Sequence, residues 1–380
     1  DTLEWMKSED GELFVLPYAT TVNGIVYNYD VFNEKDYKLP RTTQELISLC
    51  DIISDDKDEN GKNYVPFIFF YGYWRYMYHA WMAQLDGLDK YFDTWAAIYT
   101  DSNNQRHEND VRSFTDYSVG TGRYEAINVM RKLLSPAANS YYGSSSLTHT
   151  DAQTRFLNGA ALMIPNGNWV ENEMKNIKNG PEIRMMKTPV ISALGTKLGI
   201  TENQLRAAVS YVDGTANAAE TTLAQSLSPD KLEAVRVARS IMYTEMTQTT
   251  TFIPKYSVAK EAAKKYLQFY YTDISMKIMA DTIQMPTPAQ LTTELDISSW
   301  SNFAKDIYQL SQNYTPIFQS LRTEIFYKNN INSLFYEEPS LRFIYSQNQS
   351  NMWTLEQYIN SEKNYYENVW PIYLNNIGLS

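Results

Sequence analysis

The chain has 380 residues, room for two domains of ordinary size, and its 43% hydrophobic and 20% charged residues give the profile of a globular protein. A formal net charge of −11 argues against nucleic acid as a partner, since nucleic acid selects basic surfaces. No apolar run approaches the length that crosses a bilayer, and the single cysteine, Cys50, rules out an internal disulfide.

Residues 12–17 and 24–28 read as two short strands joined by the polar link YATTVN. Leu39-Pro40 then leads to Thr42 with Glu45 three residues on, a capping box for a helix running to about Ile53. Cys50 falls within that helical pattern and reads as a small buried hydrophobe. The acidic loop that follows begins like a calcium loop, with Asp56, Asp58, Asn60 and Gly61 at positions 1, 3, 5 and 6. Position 12 is Phe67, where a bidentate Glu belongs, so a solvated acidic turn is the better reading and no metal is expected.

Residues 65–78, VPFIFFYGYWRYMY, are densely aromatic, beginning as a strand and turning helical near Trp74. Residues 123–134 fit an amphipathic helix stopped by Ser135-Pro136. The stretch HTDAQTRFLNGAALMIPNGNWVENEM, 149–174, is the most informative part of the chain. Thr150 with Gln153 fits an N-cap and its reciprocal partner, and Gly159 stops the helix. Residues 160–164 form an unbroken apolar strand, which Pro165, Asn166 and Gly167 should break. Asn168 is then placed to cap a helix carrying Trp169, Val170 and Met174. An aromatic ring and free backbone N–H groups at the end of a buried strand are where open α/β sheets bind small ligands. A Trp at such a turn fits a lid on the core equally well.

Further on, residues 185–190 read as a strand, 200–248 as mostly helical, and Phe252-Ile253-Pro254 as a strand end. A helix over 257–272 places Val258, Ala262, Tyr266, Leu267 and Tyr270 on one face, and its lysines on a solvated one. A further helix precedes the MPTP of 285–288, and the tail is mostly helical. Strands alternating with helices, then a helical tail, predict an α/β protein.

In this order, ELFVLPYATTVNGIVYNYDVF, LPRTTQELISLC, WMAQLDG, FLNGAALMIPNGNW, IPKYSVAKEAAKKYLQF and QMPTP resemble the extracellular solute-binding proteins of bacterial ABC sugar importers, with the flavour of Gram-positive lipoproteins. The resemblance covers essentially the whole chain. It implies a periplasmic-binding-protein-like, two-lobed clamp of type II that closes on a carbohydrate and then docks on the permease subunits. It assigns residues 1–20 and 250–300 to lobe 1, and 21–249 and 301–380 to lobe 2. Family members begin with a signal peptide, a lipid-bearing cysteine and further first-lobe β-α units, so lobe 1 is expected to be incomplete here. The implied location is the cell surface, lipid-anchored, as a monomer, with no cofactor.

By the family pattern Trp169 matches the aromatic residue that stacks on a sugar ring. A pyranose has an apolar C–H face and a hydroxyl rim, so a flat indole can cover the face while polar groups bind the rim. Thr21 matches a crossover position that contacts hydroxyls, where the maltose-binding relatives carry a carboxylate; Tyr18 lies beside it. Tyr73 and Trp74, with Tyr76, occupy the region of a second aromatic wall, and a packed helix N-terminus explains them as well. Asn166 and Asn168 are placed to bind hydroxyls, or simply to form the turn and cap the helix.

No catalytic residues are expected. His79, His107 and His149 are scattered, no nucleophile-elbow or dinucleotide pattern occurs, and Glu171 and Glu173 point to different sides of a helix. The rival reading is a surface sensor that kept the clamp fold and signals to a partner.

Overall fold

A computed structural model describes residues 7, 11–177, 179–245, 249–319, 323–329 and 352–379. The strands are β1 (Leu16–Pro17), β2 (Asn23–Asn28), β3 (Tyr99–Thr100), β4 (Arg106–His107), β5 (Met163–Gly167), β6 (Ile183–Met186), β7 (Ile241–Tyr243), β8 (Thr250–Thr251) and β9 (Thr315–Ile317). The main sheet is built around β2. It pairs antiparallel with β5 along one edge, and with β6 and the end of β7 along the other. β7 in turn runs parallel to β9.

Successive side chains of a strand face opposite sides, and the main sheet uses both. Ile25, Tyr27, Met163, Ile241 and Tyr243 enter one core, with Leu46, Leu49, Cys50 and Ile53 of helix Thr43–Asp55 and Met77 and Trp81 of helix Arg75–Asp86. Val22, Val26, Ile164, Met185 and Met242 enter the other, with Phe156 of helix His149–Leu157 and Phe303 and Ile307 of helix Asn302–Gln312. Cys50 lies fully inside, and burial pushes its thiol up, well away from thiolate chemistry.

A second body is built on β1 and β8, which pair antiparallel, and on helices Lys260–Tyr270 and Asp273–Ile283. The expected face of the first helix differs from the observed one. Val258 precedes the helix and is fully exposed, Tyr266 is exposed, and only Tyr270 is buried. Residues 18–22 lie beside the segment that follows Tyr243, Thr21 Oγ1 being 2.9 Å from Thr244 Oγ1, and Thr20 Oγ1 donates to the Thr287 carbonyl at 3.0 Å, tying in the MPTP turn.

Several local expectations are corrected. Helix His149–Leu157 is capped by Thr148, whose hydroxyl accepts from Asp151 N, so Thr150 lies inside it. Gln153 reaches forward instead, donating to Glu173 at 2.9 Å. Pro165, Asn166 and Gly167 do not break the strand but complete β5. β5 lies at the end of the sheet order, where a proline without N–H is tolerated. Thr42 caps its helix, but Glu45 reaches back to Arg41 N at 2.8 Å rather than to Thr42. β7 and β9 fall in stretches expected to be mostly helical.

Candidate functional site

β5 ends at Gly167 beside Asn23, and the chain turns through Asn168 and Trp169 into the short helix Val170–Glu173. Asn168 does not cap that helix; no side-chain cap bond is present. It is buried, and it continues the sheet ladder into the crossover. Its Nδ2 donates to the Thr20 carbonyl at 3.1 Å and its Oδ1 accepts from Val22 N at 3.3 Å, while its own N–H donates to the Val22 carbonyl at 3.1 Å. With its amide used by the backbone, Asn168 is a structural residue, not a free hydroxyl partner. Asn166 is likewise buried, its Oδ1 accepting from Gly167 N at 2.8 Å.

Trp169 is half-buried. Its indole lies across Gly167, where a Cβ would come within 2.2 Å of the ring. Tyr73 meets the indole at 5.8 Å and 67°, and Tyr76 at 6.3 Å and 80°. Such tilted contacts hold a ring by its edges and suit its quadrupole. Tyr73 is half-buried in this cluster, and its phenol is pushed up to about 12, by burial first and then by Glu173 and Glu245.

Beside the rings lies an ion pair between Arg75 and Glu245. Burial works against the Arg75 charge, and Glu245 outweighs it and raises the guanidinium further. Behind the pair, Tyr76, Tyr243 and His79 stack in sequence at 5.5 Å and 5.2 Å. The histidines stay apart. His79 is buried with its Nδ1 3.1 Å from the Tyr91 hydroxyl, His107 pairs with Asp101, and His149 is exposed.

The other candidate residues go elsewhere. Trp74 is 0% exposed, held edge-on by Phe67 at 5.1 Å and Phe69 at 5.8 Å. A side chain wholly inside that core offers no surface to a dissolved ligand, so the expectation of Trp74 as a contact is corrected. The 3₁₀ turn Tyr71–Trp74 explains why: its tight winding sends Trp74 inward while Tyr73 stays at the surface. Thr21 is buried between the two crossovers, its Oγ1 2.9 Å from Thr244 Oγ1 and accepting from Glu245 N at 2.7 Å. Tyr18 is 43% exposed but belongs to the second body, stacked on Tyr270 at 4.8 Å and 6°. The structure thus brings Trp169 and Tyr73 together and leaves Tyr18 apart from them.

Arg75, Glu245 and Glu173 were missed in the sequence. Arg75 is the lone cation of an aromatic run, a signal of a kind; Glu245 follows a three-residue strand and carries none.

Asp56 and Asp58 are engaged within their own loop. Asp56 accepts from the Tyr37 hydroxyl at 2.8 Å, and Asp58 from Asn60 N and Lys62 N at 2.9 Å each. Among the described residues no group of three His, Cys, Asp or Glu is placed to hold a metal. Trp169 lines neither of two grooves, one of about 510 Å³ between Thr20, the 286–295 loop and Tyr308–Tyr314, and one of about 290 Å³ beside Glu171.

The model of the family described as "Bacterial extracellular solute-binding protein" matches residues 1–277. The chain belongs to that family. Among solved structures, the solute-binding protein RafE in complex with raffinose superposes with a TM-score of 0.59 at 15% identity, over 97% of this chain and 78% of that one. A chitin oligosaccharide binding protein gives 0.60 at 14%, over 97% and 74%. Maltose-bound MalE3 of T. maritima gives 0.56 at 15%, over 96% and 74%. At these identities the likeness shows the fold, the two-lobed α/β clamp of type II. No curated protein sequence matches the chain. As a solute-binding protein it comes from a family of extracellular proteins, and none of its described helices is long and apolar enough to cross a membrane.

Proposed function

We propose that the chain binds a carbohydrate, without transforming it, for delivery to the permease of a bacterial ABC importer. The observation that carries this is Trp169, half-buried at the C-terminal end of β5 and held by ring edges beside an ion pair. The indole covers the C–H face of a sugar ring, and Tyr73, Arg75 and Glu245 bond its hydroxyl rim. Tyr18, backed by Tyr270, supplies the contribution of the other body when the clamp closes. Raffinose, chitin oligosaccharide and maltose in the names of the structural neighbours favour a sugar over other solutes.

Calorimetry with raffinose, malto-oligosaccharides and chito-oligosaccharides tests the reading. Trp169→Ala is expected to weaken binding about tenfold or more, roughly 1.4 kcal/mol, with an unchanged circular dichroism spectrum. Equal affinity in wild type and variant would remove the stacking role. Recovery of the oligosaccharides intact after incubation is expected; shortened products would replace the receptor by an enzyme.

A further inference from the structure

Asn23 opens β2 and is 0% exposed, yet its Oδ1 and its Nδ2 both lack a hydrogen-bond partner. Among the described residues it is the one buried side chain with two unpartnered polar atoms. Other asparagines of this region are used. Asn28 caps helix Tyr29–Glu34 by accepting from Val31 N at 3.1 Å, and Asn168 grips residues 20 and 22. A buried amide without bonds costs free energy, and an apolar side chain of the same shape carries no such cost. The sheet therefore gains nothing from an amide at position 23. Departures of this kind gather at functional sites.

The register places this amide at the platform. Side chains of a strand alternate, and Ile25 and Tyr27 of β2 enter the main core, so Asn23 faces the same side. Its partners across the sheet are Gly167 on β5 and Tyr243 on β7. Side chains directly opposite one another on a sheet stand about 5 Å apart. Gly167 is the residue that the Trp169 indole covers, and Tyr243 stacks on Tyr76 at 5.5 Å and 27°. The Tyr76 hydroxyl and Arg75 Nε are themselves buried without a partner. An amide and a phenol that each give and take a bond, and a guanidinium N–H that gives one, thus collect behind the indole and beside the Arg75–Glu245 pair.

We propose that Asn23 is a positioning residue of the carbohydrate site: its amide takes up bonds to the Tyr76 hydroxyl and to Arg75 when a sugar engages the platform, so that loading completes hydrogen bonds the chain otherwise leaves open. This rests on the carbohydrate reading of Trp169. Asn23 acts through Tyr76 and Arg75 rather than by touching the sugar, since none of it is exposed. Part of the affinity is thereby set by a residue the ligand does not meet.

The test titrates raffinose and maltotriose into the wild type, Asn23→Leu and Asn23→Ala by calorimetry, and follows thermal unfolding with and without each sugar. Leucine has as many side-chain heavy atoms as asparagine and no polar ones; alanine enters the same space without strain. Asn23→Leu is expected to melt no lower than the wild type without sugar. Both variants are expected to bind about fivefold more weakly, and sugar is expected to raise their melting temperature less. Affinity that falls while stability holds or rises is a signature that a merely structural amide does not give. Wild-type affinity in either variant, or affinity lost only in step with stability, overturns the role of Asn23 while the Trp169 reading stands. A wild type that binds neither sugar overturns both.

Discussion

Gly167 and Trp169 are matched to one another. The indole occupies the space that any side chain at 167 would fill, and Tyr73 and Tyr76 close off its retreat. Gly167→Ala is therefore expected to push the ring out of place, costing about 1–3 kcal/mol in urea unfolding and weakening sugar binding in calorimetry. Unchanged stability and affinity would mean the indole moves freely. The place of Trp169 at the end of β5 was legible in FLNGAALMIPNGNW, but its fit to Gly167 was not, because that glycine reads as a strand breaker and instead completes the strand. The burial of Trp74 was not legible either. That residue adjoins Tyr73 and has the same chemistry, and only the handover from a 3₁₀ turn to helix Arg75–Asp86 decides which ring goes inward. Asn168 and Thr21 misled for a related reason: a short polar side chain serves a backbone or a hydroxyl equally well, and burial alone chooses between them.

At the scale of elements, the long amphipathic helices could be read from their period, and Thr43–Asp55 and Gly122–Leu134 follow it closely. β7 and β9 could not. Each has three residues, too few for alternation to show, and each exists because β2 and its neighbours offer a free edge. The packing of these pieces places charges inside as well. Asp213, at the end of helix Glu202–Val212, accepts from Arg239 of helix Pro229–Ser240 at 2.8 Å and from Lys187 at 2.7 Å. Burial works against the Asp213 carboxylate, but Arg239 and Lys187 outweigh it and hold it below the usual range. A carboxyl depressed in the folded state contributes stability above its unfolded value, about 3.9, and loses it as pH falls through the folded value. Asp213→Asn should cost about 2 kcal/mol near pH 6, and the gap from wild type should shrink below about pH 4 in urea unfolding followed across pH. A gap that is the same at both ends of that range would deny the pair its part in stability.

Taken whole, the molecule fastens segments far apart in the chain to each other. β1 lies against β8, and a step further Thr21 meets Thr244 and the Glu245 backbone. Pairings between strands two residues long, more than two hundred positions apart, are beyond any periodicity in the chain; only the family likeness hinted that these segments meet. Thr21→Val removes the hydroxyl while keeping the shape, leaving the Glu245 N–H without its acceptor. The expected loss is about 1–3 kcal/mol, with sugar affinity altered because both crossovers loosen together. Thermal and urea unfolding, with and without ligand, would register it, and an unperturbed variant would show that the strands bend independently.

Asn168 has a mechanical consequence. One amide grips the crossover at Thr20 and Val22, and the next residue along the chain is the indole. The side chain of residue 168 thus rivets the backbone of 20–22 to the chain that bears the ring, so a displacement of either carries the other along.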